Sequence, residues 1–172
     1  MGFLSRLFSP RNDPRDRLRP LWYRVVEISR SPDFYARCGV ADTVDGRFDM
    51  ITLVLATVLL RMESAAALQA NTALLTELFV DDMDGQLRQS GVGDLMVGKR
   101  MGKLVSVLGG RLGMLRDALA SGEAAALVAG LERNATFGAS PDAAALASRL
   151  QALHEDLARA SDTALMDGDF AR

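Results

Sequence analysis

The chain has 172 residues, of which 49% are hydrophobic and 24% are charged, and its formal net charge is −2. These values are typical of one globular domain, and they exclude a global charge bias toward nucleic acid or an anionic membrane. A single cysteine, Cys38, and a single histidine, His154, exclude an internal disulfide framework and a Cys/His metal cluster.

Apolar residues recur at three- and four-residue spacing along nearly the whole chain, which predicts an all-α, single-domain bundle of about six or seven helices. Capping residues, glycines and prolines then set the expected helices, over about residues 14 or 17 to 29, 31–39, 44–62, 65–88 and 94–119, and from about 121 and 140 onward. The third of these is apolar on most sides and is expected at the centre.

The two ends of the chain are expected to differ from the rest. Residues 14–160 are predicted to form the domain, with flexible tails over 1–13 and 161–172. The most apolar run, residues 50–60, is shorter than the ~20 residues of a membrane span, so it predicts a buried helix.

One stretch resembles a phosphate-binding loop. Residues 93–100 read GDLMVGKR, and the pattern fails only at Arg100, where a Ser or Thr should hold Mg²⁺. The segment before this stretch is an acidic helix and a turn instead of a strand, so an NTPase is disfavoured. A calcium loop aligned on Gly85 would need oxygen ligands from Val80 and Gly91, so that site is excluded as well.

The same stretch contains the first of four glycines that share one side of a predicted helix, here called the glycine stripe. On the predicted fifth helix, Gly98, Gly102, Gly109 and Gly113 fall on one narrow side. A glycine costs a helix about 1 kcal/mol relative to alanine, so the stripe predicts a closely approaching neighbour helix. The alternative is that the glycine pair at 109–110 ends the helix, and we favour one bent helix.

Charged side chains line two helix faces, one basic on the fifth helix and one acidic on the fourth. We predict that partner binding uses these side chains: Asp81, Asp82, Asp84, Arg88, Asp94, Lys99, Arg100, Lys103 and Arg111. The basic face could dock on an acidic partner, ribosomal RNA or lipid headgroups, or it could be a solvated face. The acidic row could also neutralise it within the chain.

The N-terminus carries an apolar cluster, Phe3, Leu4, Leu7 and Phe8, followed by several arginines. This pattern predicts a weak contact with an anionic membrane surface. The alternative is a tail that is disordered or folded onto the body of the protein.

The sequence does not predict a catalytic site. The only histidine lies outside the motif-rich region, so no Ser/His/Asp or Cys/His constellation can form, and no cofactor, metal or specific DNA target is expected. The residues alone leave open an RNA- or ribosome-binding adaptor that uses the basic face of residues 94–119.

Three segments act together as a signature: "LWYRVVEISRSPDFYARCGVADTVDGRFDMITL", "FVDDMDGQLRQSGVGDLMVGKRMGKL" and "GGRLGMLRDAL". Asp42, Arg47, Phe48 and Asp49 form one motif, and the run from Asp82 to Asp94 forms the other. The chain thereby resembles the ubiquinol-cytochrome c chaperone family over about residues 18–120.

The resemblance implies a non-enzymatic assembly factor that binds newly made cytochrome b, or an assembly intermediate of it, near the membrane. Mitochondrial members also work near the ribosomal exit tunnel, and this association need not carry over to the present chain. Val107, Leu108, Met114 and Leu115 stand where the family pattern leads us to expect aromatics. The short N-terminus favours a bacterial member, cytoplasmic and peripheral to the inner membrane. The client-binding surface and the oligomeric state do not follow from the resemblance.

Overall fold

The structure, a computed structural model, describes residues 13–89 and 94–171, with the side chains of 87–89 and 94–101 outside that description. The described residues form a 3₁₀ turn and then helices with these bounds: α1 Arg19–Ser29, α2 Pro32–Ala36, α3 Val44–Glu63, α4 Gln69–Gln89, α5 Asp94–Ser121, α6 Ala124–Asn134, α7 Ala143–Arg159 and α8 Asp162–Met166. The predicted all-α bundle is confirmed. Within the described residues, the extended pairing is limited to one isolated bridge between Val40 and Phe137.

Local capping chemistry sets several helix ends. The Thr43 side chain accepts a hydrogen bond from the Gly46 amide at 3.2 Å, so α3 begins where its cap was expected. The last long helix begins at Ala143, later than the start expected at about residue 140, where Ser140 precedes a proline. The reason is that the Asp142 side chain accepts a hydrogen bond from Ala145 N at 2.8 Å. The side chain of Asp142, rather than that of Ser140, caps this helix.

Helix α3 lies at the centre of the bundle and contacts α1, α4, α5 and α7. Most of its residues between Asp49 and Leu59 are buried on all sides, as its nearly continuous apolar sequence predicts. Trp22 of α1 and Phe79 of α4 meet edge to face with ring centroids 6.1 Å apart. The core is therefore one continuous cluster, and the other helices present single faces to it.

The C-terminal segment differs from the flexible tail expected over 161–172. Residues 162–166 form α8, and the side chains of Leu165 and Phe170 are buried in the core. Arg24 of α1 donates to the Phe170 carbonyl from Nε at 3.1 Å and from a terminal nitrogen at 2.9 Å. Two large apolar side chains are enough to hold this short segment on the bundle.

The glycine stripe also differs from its expected role. Helix α5 runs without a break through the glycine pair at 109–110, as favoured. A Cβ placed on Gly102, Gly109 or Gly113 would meet nothing within 4 Å, so the expected close neighbour is absent at these three positions. The tight contact lies elsewhere, because a Cβ on Gly130 of α6 would lie 2.6 Å from Met114 Sδ.

Alanine substitutions at two glycines should change stability in opposite directions. Gly39 has φ +70°, and its Cβ would lie 1.9 Å from the Ser140 carbonyl oxygen, so Gly39→Ala should destabilise by more than ~2 kcal/mol. Gly102 is an exposed helical residue, so Gly102→Ala should stabilise by up to about 1 kcal/mol. Urea unfolding of both variants measures the two changes. A destabilised Gly102→Ala would place a neighbour against α5.

The length and the apolar character of each helix determine whether it could cross a bilayer. Among the described residues, none combines the length and the apolar character that a membrane-spanning helix requires.

Candidate functional site

The acidic row of α4 lies at the surface next to the segment that precedes α1. Asp81 has a side chain that is 61% exposed and forms an ion pair with Arg15 at 2.5 Å. Asp82 and Asp84 are half-buried, and Gln86 approaches a carboxylate oxygen of Asp82 at 3.5 Å. The carboxylate of Asp81 is thus paired within the chain by the N-terminal segment, and the described side chains of α5 do not contribute an ion pair to it.

The basic face of α5 is smaller than the helical wheel suggested. Lys103 is exposed and makes no ion pair with the described residues. Arg111 does not share this exposure, because it is buried with only 6% of its surface accessible. The expectation that Arg111 belongs to an exposed partner-binding face is therefore wrong. The other predicted side chains of this surface lie outside the described side chains: Arg88, Asp94, Lys99 and Arg100.

Arg111 instead joins α5 to α3 and to the end of α6. It forms a buried ion pair with Asp49 and donates to the Thr52 hydroxyl. It also donates to the Asn134 carbonyl at 2.8 Å, and its guanidinium carbon lies 5.7 Å from the centre of the Phe48 ring. One guanidinium thus connects three helices.

The carboxylate of Asp49 has a second partner. The other oxygen of Asp49 accepts the Thr136 amide at 2.7 Å and the Thr136 hydroxyl at 2.6 Å. The loop after α6 is thereby attached to the central helix. A buried carboxylate with one cation and two donors is well satisfied, which is what a charge needs in order to remain inside a protein.

The first family motif therefore has two structural parts. Arg47 and Asp42 form an exposed ion pair at 2.6 Å, and this hydrogen bond lowers the pKa of Asp42. Phe48 and Asp49 point inward, toward Phe79 and Arg111 respectively. The inner part of the motif stabilises the junction of α3 and α5 and is not available to a partner.

The arginines after the apolar N-terminal cluster are largely engaged within the chain. Arg15 binds Asp13 at 2.7 Å, and this hydrogen bond lowers the pKa of Asp13 to about 2. The remaining three contact nearby polar side chains, Arg17 with Asn71, Arg19 with Asp16 and Arg24 with Glu27. Arg17 keeps its charge because its partner is a neutral amide, whereas the other three are paired with carboxylates and offer less charge to a membrane surface. The predicted membrane-contact residues Phe3, Leu4, Leu7 and Phe8 lie outside the described residues.

The described residues give little support to catalysis. They contain no group of three or more His, Cys, Asp or Glu side chains that could hold a metal ion. Cys38 is buried, and its burial raises the pKa of the thiol, which makes it a poor nucleophile. His154 is half-buried on α7 with no hydrogen-bond partner at Nδ1 among the described residues.

Comparison with known proteins gives two concordant results. The family model described as ubiquinol-cytochrome C chaperone matches residues 36–172. The crystal structure of the Cbp3 homolog from Brucella abortus superimposes with a TM-score of 0.79 at 34% identity, over 91% of this chain and 88% of that chain. None of the curated proteins compared with the chain matches it. With most of its length matched in both sequence and fold, the chain belongs to the ubiquinol-cytochrome c chaperone family.

Proposed function

We propose that the protein is a non-enzymatic assembly chaperone for ubiquinol-cytochrome c reductase and that its client is newly made cytochrome b. The observation that carries this proposal is the family match over residues 36–172, together with the similar fold of the solved relative. The site geometry is compatible with it, because many of the described charged side chains form ion pairs within the chain, while Lys103 and Arg30 are exposed without an ion pair to the described residues. A chaperone of this kind acts by binding a folding intermediate of its client.

The alternative of an RNA- or ribosome-binding adaptor loses support from the geometry. Binding to RNA scales with the number of cations that reach phosphates. Arg111 is buried against Asp49, so the predicted basic face has one cation fewer than the sequence suggested.

A strain that lacks the protein tests the proposed function directly. We expect cytochrome b to accumulate poorly and ubiquinol-cytochrome c reductase activity to fall, while a respiratory enzyme without cytochrome b keeps its activity. Expression of the full chain from a plasmid should restore both quantities. Normal reductase assembly in the strain would refute the chaperone proposal.

The location that we propose is the cytoplasmic side, peripheral to the inner membrane. The apolar cluster near the N-terminus should supply most of the affinity, because the described arginines that follow it are engaged. Removing residues 1–12, which retains the Asp13 partner of Arg15, should leave the fold intact and strongly reduce vesicle binding. Flotation with neutral and anionic vesicles measures the binding of both proteins. On anionic vesicles, each basic side chain without a carboxylate partner should add on the order of 1 kcal/mol to the binding free energy. Equal flotation of both proteins would exclude the tail as the membrane contact.

A further inference from the structure

A surface groove lies between α1, the start of α2, and α7. It has a volume of about 850 Å³, and Ala171, near the C-terminus of the chain, is one of its lining residues. Phe34 and Leu153, both 5% exposed, lie beneath it, and Val26 and Ala152 add apolar surface. The groove therefore has apolar side chains at its base, where the side chains on one face of a helix could pack.

Tyr23 borders this groove and is unusually exposed. Its side chain is 62% accessible, and it is one of three large hydrophobic residues in the described part of the chain that are exposed, together with Val44 and Val105. Tyrosine combines a large apolar ring with a hydroxyl that can stay hydrated, which makes it a common anchor in protein interfaces.

One positive charge at the groove has no ion-pair partner among the described residues, whereas the acidic groups around it are paired. The acidic groups have partners within the chain, since Glu27 binds Arg24 at 2.8 Å and Asp33 binds Arg149. Asp156 is paired as well, with Arg159. Arg30 is exposed and makes no ion pair with the described residues. Among the described lining residues, the charge left to an incoming partner is thus the Arg30 guanidinium, which complements a carboxylate.

We propose that this groove receives an amphipathic helical segment of the client, with its apolar side over Phe34 and Leu153 and an acidic side chain at Arg30. This inference rests on the proposed chaperone function and adds a surface to it. The surface is distinct from the charged faces of α4 and α5.

Site-specific photocrosslinking tests the groove in the full-length protein. Benzoylphenylalanine in place of Tyr23 should crosslink to newly made cytochrome b in cells. Ala152→Trp fills the groove from an exposed position of α7, and it should lower the crosslink yield about tenfold. Arg30→Glu should lower the yield by a similar factor. Ala158→Trp, an exposed position on the same helix outside the groove, should leave the yield unchanged.

The outcomes separate the groove from the chaperone function. If cytochrome b still depends on the protein but the yield does not respond to Ala152→Trp and Arg30→Glu, or position 23 gives no crosslink, the groove proposal is wrong and the function stands. If reductase assembly is normal in cells that lack the protein, the function itself fails. Melting curves of each variant verify folding, and Arg30→Glu provides a test at an exposed site if Ala152→Trp is unstable.

Discussion

Replacing Arg111 with alanine is expected to destabilise the protein by about 3–5 kcal/mol, because it leaves the carboxylate of Asp49 buried without its cation. The Thr52 hydroxyl and the Asn134 carbonyl lose a donor in the same step. A buried charge that loses its partner keeps its full desolvation cost, whereas the hydrogen bonds from Thr136 to Asp49 compensate only part of it. Urea unfolding with circular dichroism measures the difference.

Arg116→Ala is the matched control for this change. Arg116 lies on the same helix, but its side chain is 50% exposed and its ion pair with Glu63, at 2.6 Å, is at the surface. Removing it should cost no more than about 1 kcal/mol. If Arg111→Ala were as mild as the control, the ion pair with Asp49 could not be a buried tie between the helices.

A double variant shows whether the lost stability comes from the unpaired charge of Asp49 or from the packing contacts of the Arg111 side chain. Asp49→Leu with Arg111→Met removes both charges and keeps much of the apolar volume, so it should be more stable than Arg111→Ala alone. Full recovery is not expected, since the Thr136 amide and the Asn134 carbonyl would lose their partners. A double variant less stable than the single one would show that the hydrogen bonds from Thr136 to Asp49 stabilise the fold by more than the unpaired charge destabilises it.

Some helix starts and ends were predictable because they depend on local chemistry. Thr43 caps α3 with its own side chain, and Gly39 adopts the positive φ that ends the segment of α2. The central position of α3 followed from an apolar sequence with few polar interruptions. Each of these inferences uses residues that are neighbours in the chain.

The role of Arg111 could not be predicted in the same way. A helical wheel places it beside Lys103, but the wheel does not show which side of α5 meets α3. Asp49 was the available signal, because a carboxylate at the start of an otherwise apolar helix needs a buried cation. Both residues lie in the segments that resemble the family, yet their pairing becomes visible only when the two helices are placed together.

Two further expectations failed because they depended on contacts distant in sequence. The stripe through Gly102 was correctly placed on one side of α5, but that side faces no neighbouring helix in the described structure. The C-terminal segment looked loosely ordered, yet Leu165 and Phe170 are buried where the segment crosses α1. Sequence patterns identify a face or an apolar pair, whereas the tertiary fold determines what it meets.

The exposed charge on α5 should matter for function and hardly at all for stability. Lys103 is exposed and unpaired among the described residues, and Arg100 lies three positions earlier on the same helix. If this face binds the client or its membrane environment, then reversing both charges with Arg100→Glu and Lys103→Glu should reduce cytochrome b accumulation and reductase activity several-fold. The physical reason is that like charges across an interface slow association and disfavour the docked complex.

The same double variant should melt close to the original protein, because the loss of exposed charges changes stability by only about 0–1 kcal/mol. The neutral pair Arg100→Gln and Lys103→Gln is its control, and it should fall between the original and the reversed protein in activity. A loss of several kcal/mol in the reversed variant would instead mean that these side chains are paired inside the fold, as Arg111 is with Asp49. Unchanged reductase activity in a stable reversed variant would remove this face from the client-binding surface and leave the groove beside Tyr23 as the candidate.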